Sequence, residues 1–224
     1  MVKFPSKLRI APPGGAWAEI PGVRLTDVSD PFPAVKTDIA EIAGGVDIDL
    51  STAMTGGIPV YKNRSPVVSC VVSRAWLWDQ ANAILAPLHG HERLVGLVGE
   101  SWWWRGRISV SDPRQVGRGV LFSLTMDAFP YRLFGTGSRS VTPTTGGVGV
   151  QLPAVPVGGM PLVPVCSSSS VPVVLSRSGV SVPIPVGAPR PVYELAVMPG
   201  EGARTWTVKG DGGTLLVEWE EGRL

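Results

Sequence analysis

The chain has 224 residues, 44% of them hydrophobic and 17% charged, which is enough apolar sequence for one large core or two small ones. Its formal net charge is +2 without any dense run of Lys or Arg, and this argues against a nucleic-acid-binding protein. The 22 prolines and 28 glycines interrupt every hydrophobic stretch, so we expect no membrane-spanning segment.

The first sixty residues read as short strands separated by turns. Met1–Pro5 lacks the apolar core of a signal peptide, so we expect synthesis in a cytosol. Strands are predicted at Leu8–Ile10, Ala16–Ile20 and Val46–Leu50, the last with Asp47 and Asp49 alternating with apolar residues. This alternation predicts one buried and one acidic face.

An apolar strand followed by a helix is predicted next. Val67–Val72 is uninterrupted by polar groups except Ser69, which is typical of a strand buried on both faces. Ser73–Leu88 carries apolar residues at helical spacing, and Pro87 should end the regular hydrogen bonding. It is the one helix that the pattern predicts.

Alternation then predicts an antiparallel hairpin. Arg107–Ser111 and Val120–Met126 interleave apolar and polar residues, and the segment between them carries turn residues. Within the preceding Trp102-Trp103-Trp104, successive side chains of a strand point to opposite faces. Trp102 and Trp104 should therefore share one face, with Trp103 on the other.

The composition changes at Gly135–Arg190, where Pro, Gly, Ser and Thr replace most charged residues. This segment is either a flexible linker or a small β domain. The runs of Val and Ile within it favour the β domain.

The last segment contains two strand-like runs, Thr205–Lys209 and Thr214–Trp219, around the turn residues Gly210–Gly213, which predicts a hairpin. Cys70 and Cys166 stand in apolar surroundings far apart in sequence. Because neither lies in a metal-binding pattern, both are expected to be buried free thiols.

Several motifs in order resemble those of phage distal tail proteins. They are a helix over Trp76–Leu88, the turn Leu88-His89-Gly90, the aromatic strand Trp102–Arg107 and the closing motif Asp127-Ala128-Phe129-Pro130-Tyr131. A terminal glycine turn, a strand and Gly222-Arg223-Leu224 also fit the family. The resemblance covers residues 70–133 well and 200–224 loosely.

The resemblance implies a mainly β protein with two domains. Residues 1–134 would form a β-rich belt domain with one helix, and residues 135–224 a galectin-like β-sandwich. The belt domains would assemble as a hexameric ring at the tail tip of the virion, between tail tube and hub. Expected partners are further copies of the chain, the tube, tape measure and hub or tip proteins, with receptor-binding proteins or a host glycan as further options.

Surface residues near the predicted hairpin are candidates for the contact between subunits. They are Trp102, Trp104, Arg107, Arg114 and Arg118, with Arg105 nearby. The arginines would pair with acids such as Asp47 or Asp49 of a neighbour, or form a solvated rim.

The alternative function is a monomeric carbohydrate-binding module. Exposed indoles stack on flat ligands, and Trp206 and Trp219, or Trp17 and Trp103, would form the platform. His89, His91 and Glu92 lack a third metal ligand nearby, and no marked nucleophile accompanies them. We therefore expect neither an enzyme nor a cofactor or metal site.

Overall fold

The computed structural model describes residues 7–37, 39–40, 48–49, 59–73, 82–83, 85–111, 113–117 and 119–224. The chain divides into two compact units, Met1–Arg132 (unit 1) and Leu133–Leu224 (unit 2). Both are built from antiparallel strands. The described residues contain no helix that is long and apolar enough to cross a membrane.

Unit 1 is an antiparallel sheet with a strongly apolar inner face. Its strands are β1 (Leu8–Ala11), β2 (Ala18–Glu19), β3 (Val23–Ser29), β4 (Ile39–Ala40), β5 (Ile48–Asp49), β6 (Val67–Ser73), β7 (Glu92–Leu97), β8 (Trp103–Val110), β9 (Arg114–Val116) and β10 (Gly119–Ala128). The order is β2-β1-β7-β8-β10-β6-β3; β9 also pairs with β10, and β4 pairs with β5 separately.

The predicted hairpin between β8 and β10 is confirmed. Val110 lies opposite Leu124, and Gly106 opposite Ala128. Along β10 every second residue is buried, and these apolar side chains join one cluster with those of β6 and β8. Burying each large aliphatic side chain contributes about 1.5–3 kcal/mol, so this shared core holds the sheet together.

The prediction that Val67–Val72 is buried on both faces is wrong. Val68, Cys70 and Val72 face the core, whereas Val67, Ser69 and Val71 remain half-exposed. The strand lies between β3 and β10, so its interior position in the sheet accounts for its apolar character.

The predicted helix Ser73–Leu88 falls largely outside the described residues. Asn82, Ala83 and Leu85 are helical, and the Ala86 amide donates to the Asn82 carbonyl at 2.9 Å. Leu85 and Leu88 are buried in the unit 1 core. Of the described residues, Ala86–Gly90 form a turn, so the helical part ends at Leu85, before the predicted end at Leu88; the rest of the helix stays a prediction.

Unit 2 is a sandwich of two antiparallel sheets. Its strands are β11 (Arg132–Val141, whose first residue belongs to unit 1), β12 (Val148–Leu152), β13 (Val165–Ser168), β14 (Val173–Arg177), β15 (Val180–Ile184), β16 (Arg190–Pro191), β17 (Arg204–Lys209) and β18 (Leu215–Arg223). One sheet has the order β16-β13-β18-β11 and the other β12-β17-β14-β15. The strands β12–β16 show that 135–190 is a β domain rather than a linker.

The predicted hairpin of Thr205–Lys209 with Thr214–Trp219 is wrong, although both runs are strands. β17 pairs with β12 and β14, while β18 pairs with β13 in the facing sheet. Gly212 and Gly213 adopt φ of 85° and 75° in the connection. Both strands bury apolar side chains in one cluster, so the connection crosses the edge of the sandwich to place them on opposite sides of the core.

Candidate interaction surface

The tryptophan string behaves as period-two alternation predicts. The rings of Trp102 and Trp104 meet edge to face with centroids 4.7 Å apart, and Trp103 packs instead against Trp17 at 5.8 Å. Trp104 is 0% exposed, in the core of unit 1. This corrects its prediction as a subunit-contact residue, because a second chain cannot reach it without unfolding the sheet.

Trp102 is only half-buried, and an arginine covers part of its ring. The Arg132 guanidinium lies 4.8 Å from the ring centroid of Trp102. Trp102 therefore remains a candidate contact residue, with a cation–π partner from its own chain.

The candidate arginines differ in their surroundings. Arg107 and Arg114 are exposed, and Arg114 lines an open cavity of about 500 Å³ with Asp27 and Ser123. Arg105 instead binds Glu92 of its own chain at 2.7 Å. Arg118 lies outside the described residues, as do the side chains of Asp47 and Asp49. The ion pairs with a neighbouring subunit remain a prediction.

The structure places Trp206 and Trp219, one of the two tryptophan pairs proposed for the alternative sugar platform, in the unit 2 core. Trp206 is 3% exposed and Trp219 is 5% exposed. Trp219 Nε1 donates to Glu221 Oε1 at 3.1 Å, and the indole lies against Gly137, where a Cβ would collide with it. This corrects the platform prediction for Trp206 and Trp219, since neither residue presents a ring face to a ligand. Trp17 is 36% exposed and Trp103 is partly buried, so a platform at these two residues stays a prediction.

A charged cluster in unit 1 escaped the sequence analysis. Asp30 Oδ2 accepts from Arg132 Nε at 2.7 Å and from Arg64 Nη1 at 3.1 Å. The Arg64 side chain is 1% exposed and that of Asp30 is 9% exposed. Burial lowers the pKa of Arg64, the Asp30 carboxylate opposes this, and the Arg132 charge adds to it. The two guanidiniums share one carboxylate.

The closing motif Asp127–Tyr131 holds the segment that precedes β6. Asn63 Nδ2 donates to Asp127 Oδ1 at 2.8 Å, and the rings of Tyr61 and Tyr131 meet edge to face at 6.2 Å. Burial, followed by the nearby Tyr61, raises the pKa of Tyr131. Arg64 and Ala128 exchange two backbone hydrogen bonds beside them. The closing motif thus anchors residues 61–64 to the end of β10 within unit 1.

Unit 2 contains an open cavity of about 300 Å³. Its walls include Phe134, Pro156, Met160 and Leu162, of which Leu162 is buried. The exposed residues Glu220, Glu221 and Arg223 also line it. The lining therefore combines apolar and charged side chains.

The remaining candidate groups have structural roles. The amide of Val110 donates to His89 Nδ1 at 3.1 Å, which ties the turn to the end of β8. Cys70 and Cys166 are buried free thiols, as predicted, and burial raises their pKa to about 12 and about 11. Within the described part of the chain, no three His, Cys, Asp or Glu side chains are grouped to hold a metal ion.

No protein-family model and no curated protein matches the sequence. Among solved structures, the chain is similar to the Dit protein of phage SPP1, described as a paradigm of the hub adsorption apparatus in phages that infect Gram-positive hosts. The two are 9% identical and align with a TM-score of 0.54 over 95% of this chain and 98% of the other.

Chains of the phage P2 baseplate in its activated conformation also align, each with 6% identity. They cover 95% of this chain and 97% of theirs. The TM-scores are 0.42 with Ca and 0.38 with Sr, too low to bear on the fold. The SPP1 alignment supports a mainly β fold for this chain, which itself divides into two units. More particularly, the chain has the fold of a phage Dit protein, as the motif resemblance predicted.

Proposed function

We propose that the protein is a structural, non-catalytic component of a phage tail. It would be a distal tail protein that forms a homohexameric ring between the tail tube and the tip or baseplate hub. The observation that carries this proposal is the shared fold with SPP1 Dit along almost the full length of both chains.

In this proposal the two units have different tasks. Unit 1, close to the predicted belt domain 1–134, would form the ring, and unit 2, close to 135–224, would be the second β domain. A closed ring needs two different complementary surfaces on every copy. Trp102, Arg107, Arg114 and Arg118 stay candidates for one of them. The tube, tape measure and hub proteins are the proposed partners beyond the ring.

The mass in solution and the position in the virion test this proposal. Light scattering should give six times the monomer mass of 23.6 kDa. Antibodies against the protein, viewed by electron microscopy on intact phage particles, should mark the tail tip. Label on the capsid, or on no part of the particle, would contradict the proposed location whatever the mass.

A further inference from the structure

We propose that the open cavity over β3, β6 and β10, on the face of the unit 1 sheet that points away from the core, binds a neutral saccharide. Its volume of about 500 Å³ lies within the range of small-molecule sites. Side chains that form hydrogen bonds make up most of its lining; they are Thr26, Asp27, Ser69, Ser111, Arg114 and Ser123. The inference goes beyond the proposed function and does not depend on ring formation.

A β-bulge in β3 brings the acidic group of this site to the outer face of the sheet. Leu25 and Asp27 lie opposite consecutive residues of β6, so β3 carries one extra residue, Thr26, at this point. Leu25 packs against the core, and strict alternation would turn Asp27 toward the core as well. The extra residue places Val28 there instead and leaves Asp27 exposed. Bulges of this kind commonly re-aim a side chain next to a functional site.

Hydroxyl groups form a row across the sheet beside Asp27. Ser69 is the β6 partner of Asp27 and also pairs with Ser123 of β10. The Oγ atoms of Ser69 and Ser123 lie 3.4 Å apart and share one hydrogen bond, so one of the two hydroxyl hydrogens stays available. Ser111 Oγ accepts from the Ser123 amide at 2.7 Å, and its own hydrogen is not needed for that bond. The row therefore offers donors as well as acceptors.

Two side chains of opposite charge stand at the two ends of this lining. Asp27 belongs to β3, whereas Arg114 of β9 lies opposite Leu121, beyond β6 and β10. With neighbouring strands about 4.8 Å apart, three steps across the sheet separate the two backbones by roughly 14 Å. Both side chains are exposed, and neither has a hydrogen bond or an ion pair with a described residue. A carboxylate that accepts and a guanidinium that donates are thus available to one ligand.

The chemistry of the lining favours a neutral ligand with many hydroxyl groups. One carboxylate and one guanidinium give the cavity no net charge, so it selects neither an anion nor a cation. Each hydroxyl of a sugar donates and accepts, as the serines do, and charged side chains strengthen such bonds. The half-buried Leu121 offers an apolar contact to the C–H face of a sugar ring. An elongated cavity with a charged group at each end suits two or more linked sugar rings.

The saccharide site gives Arg114 a role other than the contact between subunits. Trp102, Arg107 and Arg118 then remain the candidates for that contact within unit 1. The site is also distinct from the tryptophan platform that the sequence suggested, because none of the described tryptophans lines the cavity.

A printed array of neutral oligosaccharides, followed by titration of the full chain with the best ligand, tests the assignment. Asp27→Asn and Arg114→Gln should each weaken binding at least about tenfold, because each removes a charged hydrogen-bond partner. Asp211→Asn is the matched control and should leave binding unchanged, since Asp211 is an exposed carboxylate outside the cavity. Thermal unfolding verifies that each variant is folded.

Selectivity gives a second readout, which a loss of structure would not produce. Asp27→Asn leaves the guanidinium unopposed, so this variant should prefer saccharides that contain a uronic acid over their neutral counterparts. Arg114→Gln leaves the carboxylate unopposed and should prefer saccharides with a free amino group. The wild type should bind neutral saccharides better than either charged kind.

Three outcomes would overturn the inference. They are an array on which no saccharide is retained, equal affinities of the wild type and both cavity variants, and binding of charged peptides in place of sugars at this site. The antibody label on the virion decides the proposed function separately. A marked tail tip without saccharide binding would leave the tail function standing and remove this site.

Discussion

At the scale of single residues, the Asp30 cluster is the most consequential feature of unit 1. One carboxylate neutralises only one of the two guanidiniums around it, and Arg64 has almost no access to water. Ionised groups in such surroundings are expensive unless they are paired. Asp30 thus acts as the counter-ion that makes the burial of Arg64 tolerable.

Removal of that counter-ion should destabilise unit 1. We expect Asp30→Asn to lower the free energy of unfolding by about 3 kcal/mol, since it leaves Arg64 buried without an opposite charge. Urea unfolding measures the change. Glu19→Gln, which breaks the exposed pair with Lys7, is the control and should cost less than about 1 kcal/mol. Equal effects of the two substitutions would show that the Asp30 cluster behaves as a surface pair.

The buried thiol of Cys70 should make stability depend on pH. Its pKa is raised from 9.0 to about 12 by burial, so the folded state keeps the neutral thiol while the unfolded state releases the proton above pH 9. The stabilisation is complete below pH 9 and is lost as pH rises toward 12, at about 1.4 kcal/mol per unit.

Unfolding in urea at a series of pH values between 8 and 11 tests this. Cys70→Ala should decline less steeply above pH 9 than the wild type, although it is less stable at pH 8 because of the lost volume. The same steepness in both proteins would show that other groups cause the decline.

At the scale of elements, the pairing of β8 with β10 depends on a close backbone approach. A Cβ at Gly106 would lie only 2.5 Å from the Ala128 Cα. The glycine that follows Trp104-Arg105 is therefore required by the register in which β8 meets the closing motif.

Gly106→Ala should destabilise the protein by about 1–3 kcal/mol, because the added methyl group forces the two strands apart. Thermal unfolding is the measurement. Gly135→Ala is a suitable comparison, since Gly135 has no atom within 4 Å of its would-be Cβ. It should change stability by less than about 0.5 kcal/mol. If Gly106→Ala left the stability unchanged, the two strands would be able to move apart without a loss of stability, and the close approach would not be required.

Local alternation predicted most strands, and it failed where long-range pairing decides the outcome. The side chains of Trp102 and Trp104 lie on the same face of the strand because successive residues alternate between faces. The sequence alone was therefore enough to predict their contact. The pattern around Gly210–Gly213 is equally compatible with a hairpin and with a crossing between sheets. Nothing local distinguishes the two, since both bury the same face of each strand.

The candidate surface was harder to predict than the fold. Asp30, Arg64 and Arg132 are distant in sequence, and only the tertiary fold brings them together. A signal was present in Arg64, a charged residue three positions before the apolar run of β6. Trp206 and Trp219 were ambiguous, because an alternating strand places a tryptophan equally well on an outer or an inner face.

At the scale of the whole molecule, each unit has its own hydrophobic cluster. Independent cores are the usual basis for independent folding. We expect residues 133–224, expressed alone, to give dispersed amide signals in NMR spectra and a cooperative unfolding transition. A fragment with collapsed amide dispersion would show that unit 2 depends on the rest of the chain for its folding.

The strand order of unit 2 also determines when it can form during synthesis. β12 finds its partner β17, and β13 its partner β18, only near the other end of the unit. On the ribosome, residues 148–168 therefore emerge long before the strands that cover them. Until residue 223 has left the exit tunnel, β18 cannot pair with β13 along its full length, so the release of this strand from the tunnel sets the earliest moment at which unit 2 can close.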